Sequence, residues 1–395
     1  MLSAHQAQSS NTTRVIATLG SAQTLAWAST YYLPAVLAEA QGSELGLSSA
    51  QVFLAFSGAL LLSGLMGPKV GHWIDRTGGR SVLVCSSVLL AVGLTLLGLS
   101  QGMLSLIAAW VVLGAAMGLG LYEAAFSTLV FMYGSGARKA ITGITLIAGL
   151  ASTVGWPLTS LLTHQFDWRV ACFTWAAIHL LIGLPLNLSL PKISTAASSP
   201  QSPDQESNPP AQGAFKAMVL VAIAFGFAWF IATAMATHLP RLLQLSGASV
   251  GIALAAASLV GPFQVLGRVA EFGWLRRYHA LVSARVAAAA HPVGVLLLLS
   301  LGSPAVFLFA ILHGMGNGVM TIAKGTVPLA LFGAEGYGAR LGWIMAPARI
   351  GQAFAPPLMG YALDSFGSSA ALLTGAFGGL SCLCLLAISA GASRK

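Results

Sequence analysis

Charge is what this sequence has least of. Only 7% of its 395 residues are Asp, Glu, Lys or Arg, against about a quarter in ordinary soluble domains. Such a chain cannot clothe a water-facing surface in the usual way. Acids are scarcer than bases, ten against nineteen, which leaves a formal net charge of +9. The basic residues stand singly or in pairs between apolar blocks and form no patch, so nucleic acid is not an expected partner. Cysteines number four. Cys85, Cys172, Cys382 and Cys384 all fall inside apolar segments, and the Cys-Leu-Cys at 382–384 is not a metal-ligand spacing. Neither a disulfide framework nor a metal site is expected, and no cofactor. The sequence has no GxxxxGK[ST] loop, which argues against a nucleotide-driven pump built from this chain alone. It has no HExxH or GxSxG either, so it is not read as an enzyme.

Long apolar runs are what it has in abundance. Hydrophobic residues make up 56% of the chain and the mean hydropathy is +0.81. They come in blocks of about 20, the length a helix needs to cross hydrocarbon. Twelve spans are predicted: 15–37, 49–72, 81–100, 104–131, 140–163 and 169–190, then 215–239, 248–270, 279–300, 303–328, 340–363 and 368–391. The opening MLSAHQAQSSNTTR is too polar for the core of a signal peptide, so the first block is expected to be a retained span. Between the two sets of six lies a stretch rich in Ser, Pro, Gln and Asn, read as a flexible linker. If the N-terminus is inside, Arg14, Arg76, Arg80, Arg138, Lys139, Lys192, Arg276 and Arg277 fall on the inner side with most other basic residues. Only Arg169 and Arg241 fall outside. The positive-inside bias therefore places both termini and the linker in the cytoplasm, with the chain multi-pass in the cell inner membrane.

The two halves echo one another. YYLPAVL (31–37) matches THLPRLL (237–243), GHWIDRTGGR (71–80) matches GRVAEFGWLR (267–276), GAAMG (114–118) matches GMGNG (314–318), and GARK (136–139) matches GARL (338–341). The order is kept and the offset stays near ~200, as duplicated units require. The expected fold is an all-α polytopic membrane protein whose twelve transmembrane helices form two pseudo-symmetric six-helix bundles. Its parts are an N-terminal bundle at 1–190, a cytoplasmic linker at 191–214 and a C-terminal bundle at 215–395.

GHWIDRTGGR resembles the cytoplasmic loop motif between the second and third helices of the major facilitator superfamily. Gly71, Asp75, Arg76, Gly78 and Arg80 stand where that pattern wants them, and with the twelve spans the resemblance covers nearly the whole chain. It implies a secondary transporter in which two bundles rock about a central site, and a latch at this loop. Gly71, Asp75, Arg76 and Arg80, with Glu271 and Arg276 of the second half, are the gating candidates. Ion pairs at a wet rim are cheap to break, since surface pairs are worth only ~0–1 kcal/mol. Arg76 and Arg80 also serve as topology anchors.

The resemblance also implies that the first and fourth helices of each half line the path. The polar residues agree. Gln23, Trp27, Thr30 and Tyr31 lie on the first span, at spacings that keep one helical face, and Trp229 and Thr233 on the seventh. His313, Asn317, Thr321 and Lys324 run down one face of the tenth, and Arg349 and Gln352 lie within the eleventh. A plain structural reading, hydrogen bonds between helices, fits any one of them. A stripe that ends in a lysine and a buried arginine that cannot lose its proton call for an anion or water. Arg349, Lys324, His313, Asn317, Gln352, Gln23, Trp27, Tyr31, Trp229 and Thr233 are therefore the candidate substrate-binding residues. A cationic residue in the eleventh helix is similar to the carboxylate carriers of the superfamily, a distant likeness because Arg268 lies at the end of its span rather than deep in it. His291 and Arg285 lie on the ninth span, expected to face outward; they are read as a kink marker and a snorkelling anchor.

Glu123 is the one carboxylate clearly inside a span, alone among apolar residues from Leu104 to Met132. Glu123 and His313 are the candidate proton carriers. A gate that brings Glu123 near Lys324 or Arg349 in one state only would switch its proton affinity. The expected function is proton-coupled, alternating-access transport of a small organic anion such as a monocarboxylate. Its partners are the substrate, protons and the lipid bilayer, and it is expected to act as a monomer. The alternatives are a proton-driven exporter of drugs, amino acids or other amphipathic metabolites, and a channel or sensor without turnover.

Overall fold

The computed structural model describes residues 2–192 and 213–388, with side chains from residue 12 onward. Most of the predicted linker and the last residues of the final predicted span lie outside the described residues. Among those described, the α-helices are α1 (Leu2–Ala28), α2 (Pro34–Leu45), α3 (Ser49–Thr77), α4 (Arg80–Gly98), α5 (Met103–Gly120), α6 (Tyr122–Tyr133), α7 (Arg138–Ala148), α8 (Ala151–Gln165), α9 (Trp168–Ile178), α10 (Leu184–Leu188), α11 (Ala214–Leu245), α12 (Val250–Ser258), α13 (Val260–Gly273), α14 (Ala280–Leu301), α15 (Val306–Phe332), α16 (Tyr337–Phe366) and α17 (Ala371–Leu386).

Nine helical stretches among the described residues are long and apolar enough to cross a membrane. Two of them, Met103–Gln165 and Tyr337–Leu386, run to 63 and 50 residues, far more than one crossing needs. Large apolar side chains stand on the outside: Leu104 is 84% exposed and Leu181 76%. In water such a surface would aggregate; against lipid tails it is the expected solvent. The chain is an all-α, multi-pass membrane protein.

Every predicted block holds a helix, but four of the blocks are broken. The first span is interrupted at residues 29–33, the fourth at Leu121, the fifth at 149–150 and the eighth at Leu259. Each break falls where a proline or glycine weakens the helix or where a residue leaves helical geometry. Pro34 opens α2, which suits a residue without an N–H. Gly149 ends α7. Leu121 is extended, at φ −81° and ψ −170°. The face expected for Thr30 and Tyr31 does not continue that of Gln23 and Trp27, because α1 ends at Ala28. The second predicted span, in contrast, is longer than expected: α3 runs on to Thr77, so Asp75 and Arg76 are helical.

The chain forms two compact units, Met1–Pro200 with Ala334–Gly342, and Gln201–Gly333 with Trp343–Lys395. Each repeats the other's internal contacts. In the first, α5 packs on α3 through glycines four apart: a Cβ on Gly114 would lie 2.8 Å from Ala59 O, and one on Gly118 3.3 Å from Ser63 O. In the second, a Cβ on Gly314 of α15 would lie 2.8 Å from Val260 O of α13, and one on Gly318 would overlap Gln264 O. Small residues at this spacing let membrane helices touch backbone to backbone. The caps repeat as well. Ser48 accepts from Gln51 N at the start of α3, and Ser249 from Ile252 N at the start of α12.

The two basic residues assigned to the outer face each find an acid within their own unit. Arg169 lies 3.0 Å from Glu44 and also donates to Gly98 O and Ser100 O at 2.7 Å. Arg241 pairs with Asp364.

Candidate functional site

Glu123 sits in the first turn of α6, directly after the break in the fourth span. A helix that stops at Gly120 leaves its last carbonyls unclaimed, and a buried one left so costs about 1–3 kcal/mol. Gln23 of α1 takes the Gly120 carbonyl, its Nε2 donating at 2.6 Å. Ser86 Oγ donates to Ala116 O at 2.8 Å, and a Cβ on Gly120 would overlap Ser86 Oγ. The Trp27 ring packs 4.8 Å from that of Tyr122, which stacks on Phe126 at 5.2 Å. Gln23 and Trp27 thus brace the break beside Glu123. Gln23 Oε1 is buried and accepts no hydrogen bond among the described residues. The start of a half-helix is also where an acidic side chain is best placed against the helix dipole, and discontinuous helices of this kind build the ion and substrate sites of carriers. Tyr31 lies in the turn after α1, 5.2 Å from the Trp27 ring and 5.5 Å from Tyr32, which in turn meets Trp156 at 5.6 Å.

The loop motif forms a clamp, though not the one expected. Asp75 accepts two backbone hydrogen bonds at the start of α16, from Gly338 N at 2.8 Å and Ala339 N at 2.9 Å. The Asp75 carboxylate thereby caps orphan amides of a helix far along the chain. Only glycines permit the approach. A Cβ on Gly71 would overlap the Gly338 carbonyl, and one on Gly338 would lie 2.5 Å from Gly71 O and 2.8 Å from Asp75 Oδ1. Arg80, the first residue of α4, donates to Leu188 O at 2.5 Å, and Arg76 closes the last turn of α3. Tyr337, 1% exposed, feels the charge of both Glu123 and Asp75. In the second unit Glu271 is buried on α13, and the Arg276 guanidinium lies 5.1 Å from the Phe272 ring.

Unit two holds two buried cations, Lys324 and Arg349. Lys324, wholly buried on α15, holds its Nζ 5.0 Å from the centre of the Trp229 ring, a cation–π contact. Arg349 lies two residues from Pro347 and from Gly351 on α16. A Cβ on Gly226 would meet Pro347 at 3.8 Å, and one on Gly351 would meet Gly226 O at 3.1 Å and Phe230 Cβ at 3.6 Å. Pro347 and Gly351 thus seat α16 on α11 at 226–230, while Arg349, about 200° round the helix from both, projects from another face. Arg349 is 2% exposed and donates through Nη1 to Gln352 Oε1 at 3.1 Å. Thr233, one turn on, is buried too, and its carbonyl accepts from Thr237 Oγ1 at 3.0 Å. Asn317 is half-buried, its carbonyl taken by Thr321 Oγ1.

His313 departs from this group. Its Nδ1 lies 3.1 Å from Nδ1 of His291 on α14, and both rings are buried. His291 is thus an inward-facing partner and not only a kink marker. Arg285 does not reach out from its helix end either: it donates to Leu385 O and Ile388 O at the end of the last helix. Sequence reasoning missed His291, Tyr337 and the two amides that hold Asp75. The repeated GAR motif was the only signal for those amides.

An all-helical membrane protein of two echoed units, with a half-buried acid at a broken helix and two buried cations in the second unit, is built as a carrier. The family model of the Major Facilitator Superfamily matches residues 19–311, and the chain belongs to that family as a secondary transporter. It is 25% identical over 344 residues to a gentisate transporter of Corynebacterium glutamicum, covering 82% of this chain and 75% of that one. Its fold is similar to that of the proton:xylose symporter XylE, with a TM-score of 0.74, 14% identity and 95% of each chain covered. It is similar also to the human organic anion transporter MFSD10, with a TM-score of 0.66, 15% identity and 95% and 98% of the two chains covered.

Proposed function

We propose that this protein is a proton-coupled carrier of a small organic anion, a monocarboxylate in the first instance. It works as a monomer in the cell inner membrane with both termini in the cytoplasm. Counting the two longest apolar stretches as two crossings each, and adding the first helix, gives twelve spans. They form six-helix bundles at 1–190 and 215–395, joined by the linker at 191–214. The observation that carries the reading is the presence of two buried cations in unit two, Lys324 over Trp229 and Arg349 beside Gln352. Buried cationic side chains of this kind mark substrate pathways in membrane proteins, and a guanidinium matches a carboxylate bidentately. Gln352, Trp229, Thr233, Asn317 and His313 are the further substrate-binding residues of unit two, and Gln23, Trp27 and Tyr31 those of unit one. Glu123 carries the proton, and Gly71, Asp75, Arg76, Arg80, Glu271 and Arg276 act in gating. The gentisate transporter's name supports an aromatic carboxylate as first probe.

The test is uptake of labelled gentisate and benzoate into proteoliposomes at two pH values, with wild type, Arg349→Ala and Glu123→Gln. Arg349→Ala should abolish uptake. Glu123→Gln should lose gradient-driven uptake while counterflow exchange survives; unchanged gradient-driven uptake in that variant removes Glu123 from the mechanism. The ring cluster of Trp27, Tyr31, Tyr32 and Trp156 favours a second reading, an exporter of drugs, amino acids or other amphipathic compounds. Efflux of such compounds with no response to carboxylates would select it.

A further inference from the structure

Two histidines from neighbouring helices meet inside the second unit. His291 lies on α14 and His313 on α15, 6% and 4% exposed. Their Nδ1 atoms are 3.1 Å apart and the rings tilt at 69°. Phe309, one turn before His313, lies parallel to its ring within 12° and 5.5 Å from that of His291. Close approach of the helices is enforced around the pair. A Cβ on Gly316 would lie 2.8 Å from Ala287 O, and one on Gly294 3.1 Å from the Phe309 ring. Nε2 of His291 is buried and has no hydrogen-bond partner among the described residues.

The chemistry of an Nδ1–Nδ1 contact is restrictive. One ring must present N–H and the other a lone pair. Two neutral imidazoles carry two protons between them: one sits in the bridge, and the other occupies one of the two Nε2 atoms. One Nε2 is therefore bare. A third proton fills it, and the bridge becomes charge-assisted, which is the stronger form of a hydrogen bond. A fourth would put N–H on both Nδ1 atoms, destroying the bridge and setting two like charges side by side. The geometry thus sets a capacity of one proton above the neutral pair.

The surroundings add no competing charge. On α14 the nearest charged group is Arg285, held by carbonyls at the end of the last helix. On α15 it is Lys324, eleven residues on and over Trp229. Arg268 and Glu271 of α13 fall about two turns or more past His313, given that Gly314 meets Val260 and Gly318 meets Gln264. The α17 helix, packed on Pro292 and Val295 through Gly378 and Gly375, carries no charged side chain, only Cys382 and Cys384. The α12 helix has no titratable side chain, and on α11 Lys216, His238 and Arg241 lie at the two ends.

We propose that His291 and His313 form a single proton-binding site, holding one exchangeable proton between them, separate from Glu123 and independent of it. With Nε2 of His291 lacking a partner, the pair stores a proton rather than relaying one. Occupancy places a positive charge at the close-packed α14–α15 contact.

The experiment needs no substrate. Protein labelled with ¹⁵N-histidine is reconstituted in liposomes, and imidazole signals are followed by solid-state NMR from about pH 4 to about pH 9. Signals are assigned with His291→Phe and His313→Phe, and the series is repeated in Glu123→Gln. The two rings should change together, through one shared step of one proton, in wild type and in Glu123→Gln alike. His291→Asn keeps a hydrogen-bonding group near the Nδ1 position but takes no proton, and covers the case in which the phenylalanine variant does not fold. In either variant the His313 midpoint should move by roughly one pH unit or more, the scale at which coupled groups titrate as a pair. Separate midpoints in wild type, an unmoved His313 midpoint in the variants, or no uptake by either ring over that range overturns the proposal. Loss of transport in the carboxylate assay has no bearing on this readout, so the two readings fail separately.

Discussion

Gln23 and Gly120 are joined by a 2.6 Å hydrogen bond in which a side chain of α1 claims the carbonyl that the fourth span surrenders where it breaks. The bond ties the break, and with it the first turn that carries Glu123, to a neighbouring helix. A broken helix within a membrane persists only if something satisfies the backbone it frees.

Gln23→Leu should therefore cost stability and function together. Leucine fills similar space but leaves the Gly120 carbonyl bare, a penalty of about 1–3 kcal/mol. Thermal unfolding in detergent should fall by several degrees, and gradient-driven uptake should fall with it, because the α6 start loses its brace. If melting is unchanged, the break is held by the Trp27–Tyr122 contact and the Ser86 bond alone.

Asp75 and Gly338 give a second prediction. The Asp75 carboxylate accepts two backbone hydrogen bonds, each worth about 1.5–3 kcal/mol when one partner is charged. Asp75→Ala removes both, and Gly338→Ala pushes the segment away, since its Cβ would lie 2.8 Å from the Asp75 carboxylate. Each variant should destabilise the protein, and the double variant should be little worse than the worse single one, because both remove the same contact. Chemical or thermal unfolding of the four proteins measures this. Fully additive losses would mean that Asp75 and Gly338 act separately.

The apolar blocks, the echoed motifs and the embedded acid were legible because each is a local property of the chain. Hydropathy marks a span whether or not the backbone inside it is continuous, so the break at Leu121 left no trace in composition. Leucine at that position gives no warning of an extended backbone; only Gly118 and Gly120 before it hint at a weak helix. The Asp75 clamp was legible on one side only. The motif named the acid, but its partners are main-chain amides more than 260 residues away, and amides carry no sequence signal. His291 was read through its neighbour Pro292 as a kink, since nothing local tells which way a single histidine points. Its partner is 22 residues on, across a helix–helix turn. The stripe from His313 to Lys324 held as one helix, α15, yet its two ends face different neighbours.

The last prediction separates binding from folding at Lys324. Lys324 is wholly buried, its ammonium 5.0 Å from the centre of the Trp229 ring. Lys324→Met keeps the length and the apolar stem while removing the charge. The melting temperature should hold within a few degrees of wild type, whereas carboxylate uptake should be lost. Arg349→Lys should also fail in transport, because one point charge cannot replace a planar fork, one arm of which donates to Gln352. Trp229→Phe should weaken uptake less than Trp229→Leu, in the order of their ring faces. The three measurements are uptake at a fixed pH gradient, binding of benzoate by thermal shift, and unfolding without ligand. A Lys324→Met protein that still transports the anion at the wild-type rate would move the binding site away from α15. The Arg349 variant would then be the sole remaining support for an anion in unit two.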